Sequence, residues 1–434
     1  MRKFEPIETE DGVRAFLFKA WNKHQRTWES ALGTARDILV RVQSDGDAAL
    51  SALAKEVDGV EVGPEHFFVS RSEIDTQAAL LDPEARLAIE ASAGHLERFF
   101  SKERYLAVKL DLEGGGFLEL GSYPYERVGL YVPGGLAPYP SSVLMLGIPA
   151  RIAGVKERLV ITPCLKGKIH PAVAYALVLT GITEVLRVGG PHGLAAAAVG
   201  TWRVRRVDKL FGPGNRYVTA MKQCLFGRVA IDMLAGPSEI VIIADHSANP
   251  LWVWMDALSQ LEHGSGDELA VVIALSERFE EKFCTMNPEE FLDDPKLANK
   301  ATALKEHVFL VPCRDKDLAF QIANGLAPEH LSMQVENPQA MLSYVRHAGA
   351  VFLGHYTPVA LGDYALGTNH VLPTSGSARF WSGLSVAAFL RRRTAAFVTK
   401  EGFSFPAVPS MQLGALEGFG LHAASIHQRF QEDE

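Results

Sequence analysis

Five short segments hold most of the side chains able to do chemistry. In Ala327-Pro328-Glu329-His330-Leu331 a carboxylate and an imidazole are adjacent at the mouth of an expected strand. That pair offers two proton acceptors in one site, and histidine titrates near neutrality, where a general base works. The same two residues also read as an exposed ion pair. In Ser259-Gln260-Leu261-Glu262-His263-Gly264, Gln260 and His263 are three apart on an expected helix and share a face. A histidine there suits zinc, although structural histidines are commoner and glutamine is a rare ligand. Residues 361–374 follow an apolar strand and set Asp363, Asn369 and His370 among glycines. So polar a loop after such a strand reads as site-forming more than as a simple connection. Ser238, in Ala235-Gly236-Pro237-Ser238-Glu239 ahead of another strand, is a ligand contact or an ordinary turn residue. Glu417 and His422 lie in Glu417-Gly418-Phe419-Gly420-Leu421-His422 on the last helix. Neither glycine favours a helix, so close packing is expected there. Glu417 alone would be a solvated helix face.

Together these segments offer His263, His422 and Asp363 as zinc-type ligands, with Gln260 as a fourth. Nitrogen and oxygen donors without thiolate suit a catalytic zinc better than a structural one. The spacing is too long for any local metal motif. Cys164, Cys224, Cys284 and Cys313 form no CxxC pair, so neither a thiolate site nor a disulfide framework is expected.

The elements that must hold these residues show as a change of texture along the chain. Residues 1 to about 105 look helical: 31–42 and 84–100 carry apolar residues at helical spacing, and Pro64 and Pro83 stand where helices begin. From about 126, short β-branched runs alternate with helical patterns. Strands are expected at 128–132, 158–162, 184–188 and 207–211, then at 239–245, 269–275, 307–311, 331–335 and 350–354. Strand, glycine turn and helix in repetition signal a parallel α/β sheet, so two such units are expected. The last segment, about 409–431, is helical and long enough to touch a partner subunit. Arg391-Arg392-Arg393 reads as a solvated helix end. Three turns, Gly134-Gly135, Gly189-Gly190 and 212–215, let backbone N–H groups approach a phosphate at a helix start. None matches GxGxxG with an acid about twenty residues on, and each also reads as an ordinary strand-to-helix turn.

At 434 residues the chain is too long for one simple core. A net charge of −8 argues against a nucleic-acid surface as its main business. The start, Met1-Arg2-Lys3-Phe4-Glu5, lacks a signal-peptide core, and no apolar stretch approaches the ~20 residues needed to cross a bilayer. A soluble, cytoplasmic protein without membrane or nucleic-acid partners is expected.

The same segments, in the same order, resemble the histidinol dehydrogenase family. Tyr131-Val132-Pro133-Gly134-Gly135 and Pro140-Ser141-Ser142-Val143-Leu144-Met145 resemble its first signature. Val207-Asp208-Lys209, Gly212-Pro213-Gly214-Asn215 and the stretch 231–239 resemble its central one, and the last four polar segments complete the set. The resemblance covers roughly residues 30–425. It implies two Rossmann-like parallel-sheet domains, one of them discontinuous, with small helical segments at both ends. An N-terminal segment would occupy 1–25, a metal-binding catalytic domain 26–130 with 240–384, an NAD-binding domain 131–239, and a C-terminal helical segment 385–434. It implies that Gln260, His263, Asp363 and His422 hold one Zn2+ per subunit and also meet the substrate. His330 would be the general base with Glu329 beside it activating water, and Ser238, His370 and Glu417 would contact substrate along with His330. Tyr131 and Asn215 would contact NAD. His192 would join them, standing in Gly189-Gly190-Pro191-His192 where many members have Gly-Gly-Ala-Gln. The family is a homodimer whose C-terminal segment enters the neighbour's site, so Glu417 and His422 would act in trans. The implied activity is the oxidation of L-histidinol to L-histidine through histidinal in two hydride transfers, the last steps of histidine biosynthesis. Thr357-Pro358-Val359 lacks an acid that members often carry, and 200–206 is unusually basic and bulky. Those departures raise a second reading, a paralogue for another primary alcohol such as sulfopropanediol; a reading from another class is a non-catalytic small-ligand binder on the same scaffold.

Overall fold

Runs such as Ile240-Val241-Ile242-Ile243-Ala244 are too apolar to face water on either side and must be buried on both. The computed structural model describes residues 1–21, 28–105, 107–134, 137–164, 167–262 and 267–433. It divides into two units, Met1–Lys102 with Glu126–Ala388, and Glu103–Tyr125 with Phe389–Glu434. His263 lies outside the described residues.

Among its described residues the first unit holds two parallel sheets. The larger runs, edge to edge, Arg2–Lys3, Val308–Pro312, Leu269–Ala274, Glu239–Ala244, His330–Gln334, Ala350–Leu353. The smaller runs Glu184–Leu186, Glu157–Ile161, Arg127–Tyr131, Lys209–Phe211, Ala230–Ile231. Leaving aside the added edge strand Arg2–Lys3, both follow one plan. The first strand in chain order lies in the middle, two successors follow outward on one side, and the remaining two lie on the other. The two α/β units expected from the sequence thus share a strand order. Where that order reverses, adjacent connections leave in opposite directions and open a crevice.

Strand alternation sorts the core. Ile240, Ile242 and Ala244 meet Trp254 and Phe283 on one face, and Val241 and Ile243 meet Phe16 and Phe320 on the other. The Trp254 and Phe283 rings stack with centroids 4.4 Å apart. In the smaller sheet, buried Arg127 bonds Glu157 (2.8 Å) and Glu184 (2.6 Å), stapling the amino ends of three strands.

Several expectations are corrected. The helix Trp28–Leu53 shares a core with Leu159, Ile161 and Leu210 of the smaller sheet, so it does not group with 240–384. Residues 127–130 belong to that same sheet. Arg391-Arg392-Arg393 is no helix end. It lies in the strand Leu390–Val398, paired antiparallel with Gly116–Pro124 in the second unit, with Arg393 4.0 Å from the Tyr123 ring centroid. The final segment is two helices, Ser404–Leu416 and Gly420–His427. Gly418 (φ 78) turns the chain between them with open space around it, so the glycine serves a turn and not close packing. All four cysteines are free thiols. No helix among the described residues is long and apolar enough to cross a membrane.

The carboxyl ends of the larger sheet's central strands are filled by a hydrogen-bonded chain. Ser247 Oγ donates to Asp245, His355 Nε2 lies 3.2 Å from Ser247 Oγ, and His355 Nδ1 lies 3.2 Å from Gln334 Oε1. Gln334 Nε2 then donates to Asp256 at 3.0 Å. Burial pushes the Asp256 carboxyl up to about 6. A free aspartate titrates near ~4, so this group's contribution to stability is full below that pH and lost as pH rises through about 6. Asp256→Asn keeps an acceptor for Gln334. It is expected to be more stable than the wild type at slightly alkaline pH, by on the order of 1–2 kcal/mol, with the two melting curves converging near pH ~4. Melting curves separated equally at both pH values would show that this carboxyl does not titrate as its burial demands.

Candidate active site

The left-handed backbone of Ala327 (φ 48, ψ 60) ends the helix Lys316–Leu326 and turns the chain sharply through Pro328 into the next strand. Glu329 and His330 are thereby delivered to the amino end of His330–Gln334, beside the amino end of Glu239–Ala244, with His330 level with Ile240. Both side chains are buried, so the exposed ion pair is ruled out.

The Glu239 backbone N–H donates to Glu329 Oε2 at 3.1 Å, and the Ser238 hydroxyl donates to the same carboxyl. Burial, and then the Glu239 and Asp363 carboxylates nearby, push the Glu329 carboxyl well above the usual range despite those donors. The Glu239 side chain bonds backwards: Ser375 N–H donates to it at 2.8 Å, as does Gly376 N–H. Burial raises that carboxyl to about 7. His330 lies between two acids, its Nδ1 3.6 Å from Glu329 and its Nε2 3.9 Å from Asp363. Asp363, in the short helix Val359–Tyr364, is itself raised to about 7 by burial. Ser92 Oγ donates to the Tyr364 carbonyl and His95 Nδ1 meets the Ala365 carbonyl, which fixes the loop around Asp363.

Ser238, Glu329, His330 and Asp363 therefore meet. His370 is half-buried further along the loop of Asp363. Gln260 is 1% exposed at the end of the helix Pro250–Leu261, and its Oε1 has no hydrogen-bond partner among the described residues. A buried acceptor left open costs about 1–3 kcal/mol, which fits a donor set for a cation. The described residues contain no group of three or more His, Cys, Asp or Glu placed to hold a metal. Glu417 and His422 belong to the second unit and are exposed there, with the Phe419 ring 5.3 Å from that of His422. Val359, at the position of the missing acid, is fully buried in the core of Ile240 and Trp254, where an acid would have to lose its water.

The smaller sheet presents its carboxyl ends. Tyr131 closes the strand Arg127–Tyr131, its hydroxyl bonded to the Gly190 backbone and its pKa raised by burial. Across the strand-order reversal, Gly212 (φ 114) lies so close to Tyr131 that a Cβ would stand 2.1 Å from the Tyr131 carbonyl oxygen. Gly212 is gripped at both polar groups: its N–H donates to Asp232 (2.7 Å) and its carbonyl accepts from Lys222 (2.5 Å). Lys222 and Asp232 are themselves a buried pair, 2.6 Å apart. Asn215 follows, exposed, its Oδ1 accepting from Tyr217 and Val218 N–H to cap the helix Arg216–Leu225. His192 is fully buried, with Nε2 3.1 Å from Asp58, which also accepts from Gly189 N–H. Its imidazole holds the Gly189-Gly190 turn through Asp58. Sequence reasoning passed over the Lys222–Asp232 grip and the inward role of Glu239: Asp232 and Glu239 lie in a segment it had marked, whereas Lys222 lies outside every one.

A family model described as histidinol dehydrogenase matches residues 21–430. A histidinol dehydrogenase of Aquifex aeolicus is 41% identical over 406 residues, spanning 91% of this chain and 92% of that one. One from Listeria monocytogenes is 40% identical over 402 residues, spanning 92% of each. The crystal structure of histidinol dehydrogenase from Elizabethkingia anophelis superposes with a TM-score of 0.91 at 32% identity, covering 99% of this chain and 98% of that one. A match to that family model along nearly the whole chain, with relatives at about 40% identity and a shared fold, shows that the chain belongs to the histidinol dehydrogenase family.

Proposed function

We propose that the chain oxidises L-histidinol to L-histidine through histidinal, with NAD as acceptor and one zinc per subunit, in the closing steps of histidine biosynthesis. The observation that carries this reading is His330, buried between Glu329 and Asp363, in a chain of this family. A four-electron oxidation consumes one water and releases two hydrides, so the site must move protons twice. His330 Nδ1 faces Glu329, which leaves Nε2, on the Asp363 side, to take the alcohol proton. Burial holds the Glu329 carboxyl well above the usual range, and its place beside His330 Nδ1 suits it to help water add to the aldehyde. Ser238 and the Glu239 N–H hold Glu329 in place. Gln260, His263, Asp363 and His422 would hold the metal, with His370 and Glu417 at the substrate. Tyr131, Asn215 and the His192-anchored turn would hold the dinucleotide. When bound, NAD supplies a hydride acceptor and zinc a fixed anchor for the substrate's amine and imidazole nitrogens. The open Oε1 of Gln260 and the strand-order crevice beside Tyr131 support that fit.

The second unit exposes Phe405, Leu413, Leu416, Phe419 and Leu421, which supports a homodimer with sites completed in trans. We place this dimer in the cytoplasm.

L-Histidinol with NAD is expected to give two equivalents of reduced nicotinamide per substrate, read by its absorbance. A strong chelator is expected to abolish the signal and zinc to restore it. No signal from folded, zinc-loaded protein would sink histidinol as substrate and turn attention to other primary alcohols. Full activity after long dialysis against chelator would count against the metal. His330→Asn is expected to lower kcat by about 10²–10⁴-fold with zinc content unchanged, and Glu329→Gln to slow histidinal oxidation more than histidinol oxidation. Wild-type kcat in His330→Asn would remove it as the base. Mixing His330→Asn and His422→Asn subunits is expected to regain about one active site in four, because half the dimers then carry one intact site. No recovery from verified mixed dimers would argue that His422 acts within its own chain.

A further inference from the structure

The helix Pro140–Ile152 contains Pro149 in its interior. In an α-helix each N–H bonds the carbonyl four residues back, and proline has no N–H to give. The carbonyl of Met145 is therefore left open by its own helix. Met145 and Pro149 are both buried, so water does not readily fill the gap. Asn369 fills it: its Nδ2 donates to the Met145 carbonyl at 2.7 Å. The same carboxamide accepts from Val371 N–H at 2.9 Å, so the side chain is fixed at both ends while only 7% exposed.

The two partners belong to different halves of the first unit. Asn369 lies between Asp363 and His370 on the loop attached to the larger sheet. Pro140–Ile152 is the first helix after Tyr131 in the smaller half. We infer that Asn369 is a positioning residue, latching the substrate loop onto the dinucleotide half through the carbonyl that Pro149 sets free. This rests on the reading of the two halves given above. Thr219 Oγ1 also donates to the Ala235 carbonyl at 2.6 Å, which fixes the crossover between the two sheets just ahead of Ser238. Hydride transfer needs donor and acceptor carbons within close reach, so the latch acts on the geometry between two bound molecules more than on the binding of either.

The proline supplies its own control. Asn369→Ala leaves the Met145 carbonyl buried and open, and is expected to melt lower than the wild type. Pro149→Ala restores the missing N–H to the helix and is expected to keep the latch, because a carbonyl oxygen can accept two bonds. In the double variant the helix satisfies Met145 by itself. Its melting temperature is expected to return close to that of Pro149→Ala. Its kcat with L-histidinol is expected to stay roughly tenfold or more below Pro149→Ala, with KM for substrate and NAD within about threefold. Amide hydrogen exchange at residues 367–372 is expected to be faster in the double variant than in Pro149→Ala. Unchanged protection there overturns the latch. Faster exchange with unaltered kcat overturns the positioning role. Should Pro149→Ala and wild type both fail to oxidise histidinol, the substrate reading fails and the exchange comparison alone decides the latch.

Discussion

The hydrogen bond from the Glu239 backbone to the Glu329 carboxyl is the contact from which the rest of the site follows. A carboxyl group buried without partners is costly, and Glu329 is buried. Two parallel strands in register put one backbone N–H where that carboxyl needs it. Ser238 adds a second donor, and Glu239 spends its own side chain on the turn at Ser375 and Gly376. One strand pairing thus sets the acid, the imidazole beside it and the turn that Glu239 holds. Ser375 keeps a positive φ of 55 within this arrangement, a conformation serine seldom adopts unless its N–H is held.

The two sheets share a strand order but not a working edge. In the smaller, the reversal opens at the carboxyl ends beside Tyr131 and Gly212, the usual place for a ligand in such sheets. In the larger, Glu329 and His330 stand at the amino ends, and the carboxyl ends carry the hydrogen-bonded chain from Asp245 to Asp256. The amino ends of the smaller sheet are closed in turn by Arg127 and its two glutamates.

Much of this was legible because parallel sheets write themselves plainly. Runs such as 239–245 and 269–275, each followed by a helical pattern, match the observed strands Glu239–Ala244 and Leu269–Ala274 to within one residue. The strand Leu390–Val398 escaped because it lies in an antiparallel sheet with much exposed surface, where arginines are as welcome as on a helix end. Glu329 and His330 were visible as neighbours, but their nearness to Asp363 depends on strand register and on contacts from Ser92 and His95 far back in the chain. His192 shows the same limit. Its place in the resemblance suggested a dinucleotide contact, and only the folded chain brings Asp58 to it. Val359 could be seen as a missing charge, whereas its place in the core could not.

Lys222 and Asp232, exposed by only 2% and 1%, show how a contact can restrict the routes open to a sequence. Removing one member of such a pair strands a charge in the interior, at about 3–5 kcal/mol. Removing both avoids that penalty but releases Gly212 at its N–H and at its carbonyl. A lineage drifting one substitution at a time therefore meets a barrier in either direction, although neither residue need touch a ligand. Persistence of this pair among relatives would record the difficulty of the intermediate steps as much as the worth of the arrangement itself.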